Sequence, residues 1–299
     1  EAGTAVSLTI TPPEGLEASA LTHSVKWTFG SHSETHSLAA GTLSDSFTIP
    51  LSWLDAIPSA SSGSASCELT TYQSGTSRGS KTLSFTVTVP ASAAPTLSAS
   101  VAPAGQVTSG YYQYLSAAKI TASASGKYGA TITGYNISGS EGAMGSTSTL
   151  TTAAFQTSGA HSYSARVMDS RGKSAIQTVT CNVVAVSKPA IRTFKVERYS
   201  VVQGDTTSYV HTDYGTNVWI TIDASVDLAG GVNAGTAYIE YGKPGGTKTR
   251  VNLTLTNGAI QQTNNRSIIM AAISASETWE FTLYLSDKAN SASAYQLLS

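Results

Sequence analysis

The chain has 299 residues, with 17 Lys and Arg against 18 Asp and Glu, a net charge of −1 and 12% charged residues, about half the ~25% usual in soluble proteins. So neutral a surface lacks the positive field that draws proteins to phosphate backbones or anionic lipid, which argues against nucleic-acid and membrane partners. No run approaches the ~20 apolar residues of a membrane span, and a content of 40% hydrophobic and 8% aromatic residues is too apolar for disorder.

The chain reads as soluble. Glu1-Ala2-Gly3 does not open a signal peptide, and a first residue other than Met leaves room for a removed leader or a longer product. Ser, Thr, Ala and Gly dominate where Lys and Glu would fill exposed helix, so strands are expected throughout. Val25, Trp27 and Phe29 alternate with Lys26 and Thr28, the period-2 pattern of a strand buried on one face. The next segment, HSETH, places His32, Glu34 and His36 on one strand face at intervals of ~6.8 Å. Two imidazoles and a carboxylate are a zinc-type donor set, but the spacing is loose for one ion and a polar hairpin edge gives the same letters. The three residues are weak metal candidates, and no cofactor is expected. Residues 50–58, PLSWLDAIP, are the one helical candidate: Trp53, Leu54 and Ile57 share a face of a short turn bracketed by prolines, read as a connector across one end of a sandwich.

Leu83, Phe85, Val87 and Val89 resume the alternation, and residues 89–95, VPASAAP, form a short extended linker. Beside Gly110 stands YYQY. Tyr111, Tyr112 and Tyr114 suit half-wet positions and a glycan or protein contact, with filling of a sheet face as the plainer reading. Further strands are expected at Tyr163–Val167, Ile176–Val186, Val218–Ile222 and Trp279–Leu285, and a second proline-marked joint at residues 183–189, VVAVSKP.

Two joints give three domains, 1–90, 95–186 and 189–299, each near the ~100 residues of one immunoglobulin-type sandwich. The expected fold class is all-β, in tandem immunoglobulin-like β-sandwich modules. A degenerate repeat agrees: a small-residue turn, an alternating strand, a polar turn and a last strand recur from Ser62, Thr157 and Ile273. Asp169 and Asp287 sit just after the alternating strand, where a carboxylate caps a tight turn. Cys67 and Cys181 fall in different modules and are expected to be free. No phosphate-cradling loop, GxSxG elbow or HExxH helix occurs, and there are only five His, so no enzyme is expected.

Several stretches resemble a known family. SVKWTFG from Ser24, PLSWLDAIPSASSGSASCELTTY from Pro50 and GSKTLSFTVTVP from Gly79 look like one module of the siphovirus minor structural proteins carried by phages and prophages of Gram-positive bacteria. YYQYLSAAKITASASGKYGATITGYNI and SARVMDSRGKSA resemble the next module, with its hairpin and closing Asp-Ser-Arg-Gly turn. IRTFKVERY, with Gly215 before VWITID, resembles the opening of a third, which departs from the pattern at LSDKANS. The resemblance implies a non-enzymatic component of the virion, in the phage tail or tail tip, that assembles with other virion proteins and further copies of itself and contacts host cell-wall polysaccharide. A capsid head fibre or decoration on the capsid exterior, and an adhesin on a bacterial cell surface, are the alternatives.

Overall fold

A computed structural model describes residues 1–299. The first segment holds β1 (Ala5–Thr9), β2 (Leu21–Phe29), β3 (His32–Leu38), β4 (Ser44–Thr48), β5 (Ser62–Gln73) and β6 (Thr76–Thr88). β1 pairs with β4, and the other strands form a sheet in the order β3-β2-β5-β6. Alternation sends Val25, Trp27 and Phe29 inward, where they meet Phe47, Ile49, Cys67 and Val87 in one cluster. Each large apolar side chain so buried stabilises the fold by about 1.5–3 kcal/mol. The Trp27 ring stacks on Phe47 at 5.8 Å and meets Phe85 edge-on at 6.2 Å; its indole N–H donates to Asp45 at 2.8 Å, so the one polar atom of the ring is satisfied.

The connector predicted from PLSWLDAIP forms, but as a 3-10 helix, Leu51–Ala56. Pro50 and Pro58 leave room for little more than one turn, and the tighter winding closes it with bonds from Trp53 N–H to the Pro50 carbonyl (3.1 Å) and from Ile57 N–H to the Leu54 carbonyl (3.0 Å). Leu54 is fully buried, and Trp53 and Ile57 pack at the edge of the same cluster.

The middle segment contains β7 (Thr96–Gly105), β8 (Ser116–Ser125), β9 (Ile132–Gly139), β10 (Met144–Gly145), β11 (Thr149–Thr151), β12 (Gly159–Asp169) and β13 (Ser174–Val183). Its sheets run β10-β9-β12-β13 and β11-β8-β7. The last segment contains β14 (Ala190–Val202), β15 (Ser208–His211), β16 (Asn217–Ser225), β17 (Thr236–Gly242), β18 (Thr249–Leu253), β19 (Ala259–Asn265), β20 (Trp279–Ser286) and β21 (Ser291–Leu298). Here the sheets run β15-β14-β16-β19 and β18-β17-β20-β21, and Val196, Ile220, Ile222, Ile239, Phe281 and Leu283 form the core.

The fold is therefore all-β, in tandem immunoglobulin-like sandwiches, and each sheet takes its strands from a single segment. Compactness groups the chain differently. One unit comprises Glu1–Val101, Ile120–Leu150 and Ser162–Thr180; the other comprises Ala102–Lys119, Thr151–His161 and Cys181–Ser299. The division falls inside the middle segment rather than at either proline-marked linker. Within the first unit Ile120, Ile137, Ala165 and Val167 are buried; within the second, Val107, Leu115, Phe155 and Val183 are. Cys67 and Cys181 are free and buried, and burial raises both thiol pKa values. No helix is long and apolar enough to cross a membrane.

Candidate functional site

His32, Glu34 and His36 lie on β3, opposite Phe29, Trp27 and Val25 of β2. Directly opposed residues share a sheet face, so the three polar side chains occupy the rim of the apolar core, where the sheet ends at an edge strand. Each imidazole finds a carboxylate on a different element. His32 Nε2 lies 2.5 Å from Asp55 Oδ1, and its ring stacks on Trp53 at 5.4 Å. The Nδ1–H of His36 donates to the Asp45 carboxylate at 2.9 Å, and Nε2 lies 3.5 Å from Glu34. The bond to Asp45 raises the His36 pKa above its ordinary 6.5 against the opposing effect of burial, and Glu34 adds to the rise. His32 thus fastens the rim to the 3-10 connector and His36 fastens it to β4, while Glu34 reaches His36 on its own strand; no group of three or more His, Cys, Asp and Glu side chains could hold a metal ion.

Tyr111, Tyr112 and Tyr114 are all half-buried. The Tyr111 carbonyl accepts the Val184 N–H at 2.9 Å while its ring meets Phe155 edge-on at 6.2 Å; burial raises its hydroxyl pKa, and the Cys181 thiol adds to the shift. Tyr112 packs with Val107, Leu115 and Val186, and Ala229 and Val232 of the last segment close on the same cluster. Tyr114 holds a left-handed backbone (φ 65°), donates its N–H to the Phe155 carbonyl at 2.8 Å and carries the Lys188 ammonium 4.8 Å from its ring centre. The Ser187 N–H bonds Asp227 at 3.0 Å. Tyr112 and Tyr114 pack against residues of the joint between the middle and last segments, and all three rings keep part of their surface exposed.

The other joint is made by a residue that sequence reasoning treated only as part of a turn. Asp169 caps that turn, its Oδ1 accepting the N–H groups of Arg171 (3.0 Å) and Lys173 (2.9 Å). The cap directs the Arg171 side chain into the first segment, where it is 6% exposed. Its Nε donates to the Ile57 carbonyl at 3.1 Å, Nη1 to Lys127 O at 2.9 Å, and Nη2 to Leu54 O at 2.7 Å and also to Tyr128 O. One guanidinium thereby satisfies carbonyls at the end of the 3-10 connector and in the β8–β9 turn, a geometry that its rigid fork of donors allows. Around it Ser170 Oγ donates to Pro58 O (2.5 Å), Lys173 to Val89 O (3.0 Å) and Lys127 to Ser92 O (3.0 Å). Gly129 is required at the same contact: its φ is +81°, and an added Cβ would stand 3.0 Å from the Asp55 Cα.

A second buried arginine works similarly in the last segment. Arg198, 2% exposed, donates to the carbonyls of Gly215 (3.0 Å), Ser274 (3.1 Å) and Glu277 (3.2 Å). Burial lowers its pKa, but a guanidinium stays charged across the physiological range. Gly215 must lack a side chain, since a Cβ there would lie 2.3 Å from the Tyr199 carbonyl oxygen.

The comparisons with known proteins bear on a chain so organised. Residues 2–213 match a family model described as "Siphovirus protein of unknown function (DUF859)". No curated protein matches the sequence. Among solved structures, the three N-terminal domains of the Highly Immunogenic Outer Capsid protein (Hoc) of bacteriophage RB49 are 13% identical, with 98% of this chain and 92% of that chain covered and a TM-score of 0.30. The N-terminal eight Ig domains of the Down Syndrome Cell Adhesion Molecule are 14% identical over 98% of this chain and 33% of that one, with a TM-score of 0.37. A structure from a 1.5-MDa bacterial ice-binding adhesin is 12% identical, covering 99% of this chain and 90% of that one, with a TM-score of 0.35.

Proposed function

Because the chain belongs to the siphovirus protein family described by DUF859, we propose that it is a structural component of the phage particle, carried in the tail or at its tip. The family match is the observation that carries this reading. The physical character of the chain agrees with it. Arg171 and the lysines beside it join the first two segments by hydrogen bonds to backbone carbonyls, and the tyrosine cluster joins the last two, so neither linker is left to swing as a free tether. Such joints suit a structural part whose neighbouring segments pack directly on one another.

Assembly with other virion proteins, and with further copies of this chain, would use sheet edges. β6 lies at the edge of its sheet and is exposed from Thr76 through Ser84, which leaves one row of its backbone groups open to strand addition. Contact with the host cell wall belongs to the same reading. Proteomic analysis of gradient-purified particles tests it: the chain should be present in fixed proportion to the major tail protein, and its absence from particles that remain infectious would refute a virion role.

A further inference from the structure

The outer face of the sheet β15-β14-β16-β19 carries a row of aromatic rings. Val196, Arg198, Val218 and Ile220 point into the core, so alternation places Tyr199 and Trp219 on the opposite face, together with Tyr209, which pairs with Val201. Trp219 and Tyr199 stack at 5.1 Å, Tyr199 and Tyr209 meet edge-on at 5.9 Å, and the Arg266 guanidinium lies 3.5 Å from the Tyr209 ring centre. At the Tyr209 end the row opens into a groove of about 520 Å³, within the ~300–1,000 Å³ range of small-molecule sites. Asn217, Asn264, Asn265 and Ser267 line it, and Met270 forms part of its wall; the Asn265 amide is already bonded, donating to Gln262 and accepting the N–H and hydroxyl of Ser267. Tyr209 is 42% exposed and Met270 83%.

This lining has a particular chemistry. It contains no carboxylate and a single cation, too little positive charge for a phosphate-rich polymer. Nor does it offer the enclosed apolar pocket that anchors a peptide side chain. What it offers is phenol rings beside groups that both donate and accept hydrogen bonds, the complement of a pyranose ring with its C–H face and its edge of hydroxyls. We propose that this groove binds a neutral oligosaccharide, a short stretch of a polysaccharide chain, with the part of Tyr209 left exposed beside Arg266 as the apolar contact and the amides of Asn217 and Asn264 reading the hydroxyls. The inference deepens the reading of the chain as a particle component that touches the host wall, and it rests on that reading only for the source of the polysaccharide.

The full-length chain would be tested against an array of neutral and acidic oligosaccharides and against purified bacterial wall polysaccharide, with hits titrated calorimetrically and melting temperatures recorded. A neutral glycan should bind the native protein. Tyr209→Ala and Asn217→Ala should each weaken it by about tenfold or more, at an unchanged melting temperature, while Tyr209→Phe retains binding. Should Tyr209→Ala disturb the fold, Asn217→Ala decides. Binding of no neutral glycan, binding of acidic glycans alone, or binding that both substitutions leave intact would each overturn the proposal. A chain found in particles but inert here loses only the groove; a chain that binds here but is missing from particles loses only the virion role.

Discussion

Arg171 and Arg198 are buried, and the partners of their guanidinium groups are carbonyl oxygens rather than carboxylates. A charged donor to neutral acceptors gains more than a neutral one, about 1.5–3 kcal/mol per bond, and its removal strands several acceptors at once. The rim histidine His36 acts on a smaller scale and is sensitive to pH. His36 has a folded pKa above 6.5 through Asp45, so its stabilisation is fully present below the unfolded value and is lost as pH rises through the higher folded value. His23 runs the other way: burial lowers its pKa, and its contribution is present above 6.5 and lost as pH falls towards the lower folded value. His36→Gln removes only the upper window. Chemical denaturation of the native protein and the variant should therefore give a stability gap that narrows as pH rises from about 6 upward; a gap independent of pH would mean that the Asp45 bond does not hold the imidazolium. At this scale the sequence was only partly legible. The turn-capping roles of Asp169 and Asp287 follow from their position after a strand, and Asp287 Oδ1 accepts the Ala289 and Asn290 N–H groups as expected. The destination of Arg171 does not, because its acceptors are backbone carbonyls, which leave no mark in the letters.

Among elements, period-2 alternation made the long strands readable: β2, β12, β16 and β20 fall where Val25, Tyr163, Val218 and Trp279 predict them. Short or polar strands such as β10, β11 and β15 carry too few apolar positions to show a period. The 3-10 connector was legible through its bracketing prolines. Its second role, as the surface that receives Arg171, was not. Replacing that arginine tests the joint. Arg171→Ala should destabilise the protein by on the order of 3 kcal/mol, and amide exchange should quicken at Ile57 and Thr131, on either side of the contact. Arg171→Lys keeps the charge but lacks the fork of donors, so it should recover less than half of the loss. Full recovery by Lys would show that charge, not geometry, makes the joint.

For the whole molecule, composition excluded classes of function more readily than it named one. Near-zero net charge and few charged residues argued against polyanion binding; the linkers at residues 89–95 and 183–189 suggested three domains, whereas the chain divides into two compact units whose boundary falls inside the middle segment. What the letters could not convey is that each linker is crossed by hydrogen bonds or apolar packing contributed from distant turns, as where Lys173 reaches Val89 and Tyr112 packs with Val186. The aromatic row of Tyr199, Tyr209 and Trp219 escaped notice for a related reason, since its members come from three strands and meet only when the sheet forms. The proposed role as a built part of the particle rests on membership of the siphovirus family. Electron microscopy of intact particles decorated with gold-labelled antibody against this chain addresses that reading at once. The account predicts label concentrated on the tail, towards its tip; label confined to the capsid, or none on any particle, would contradict it.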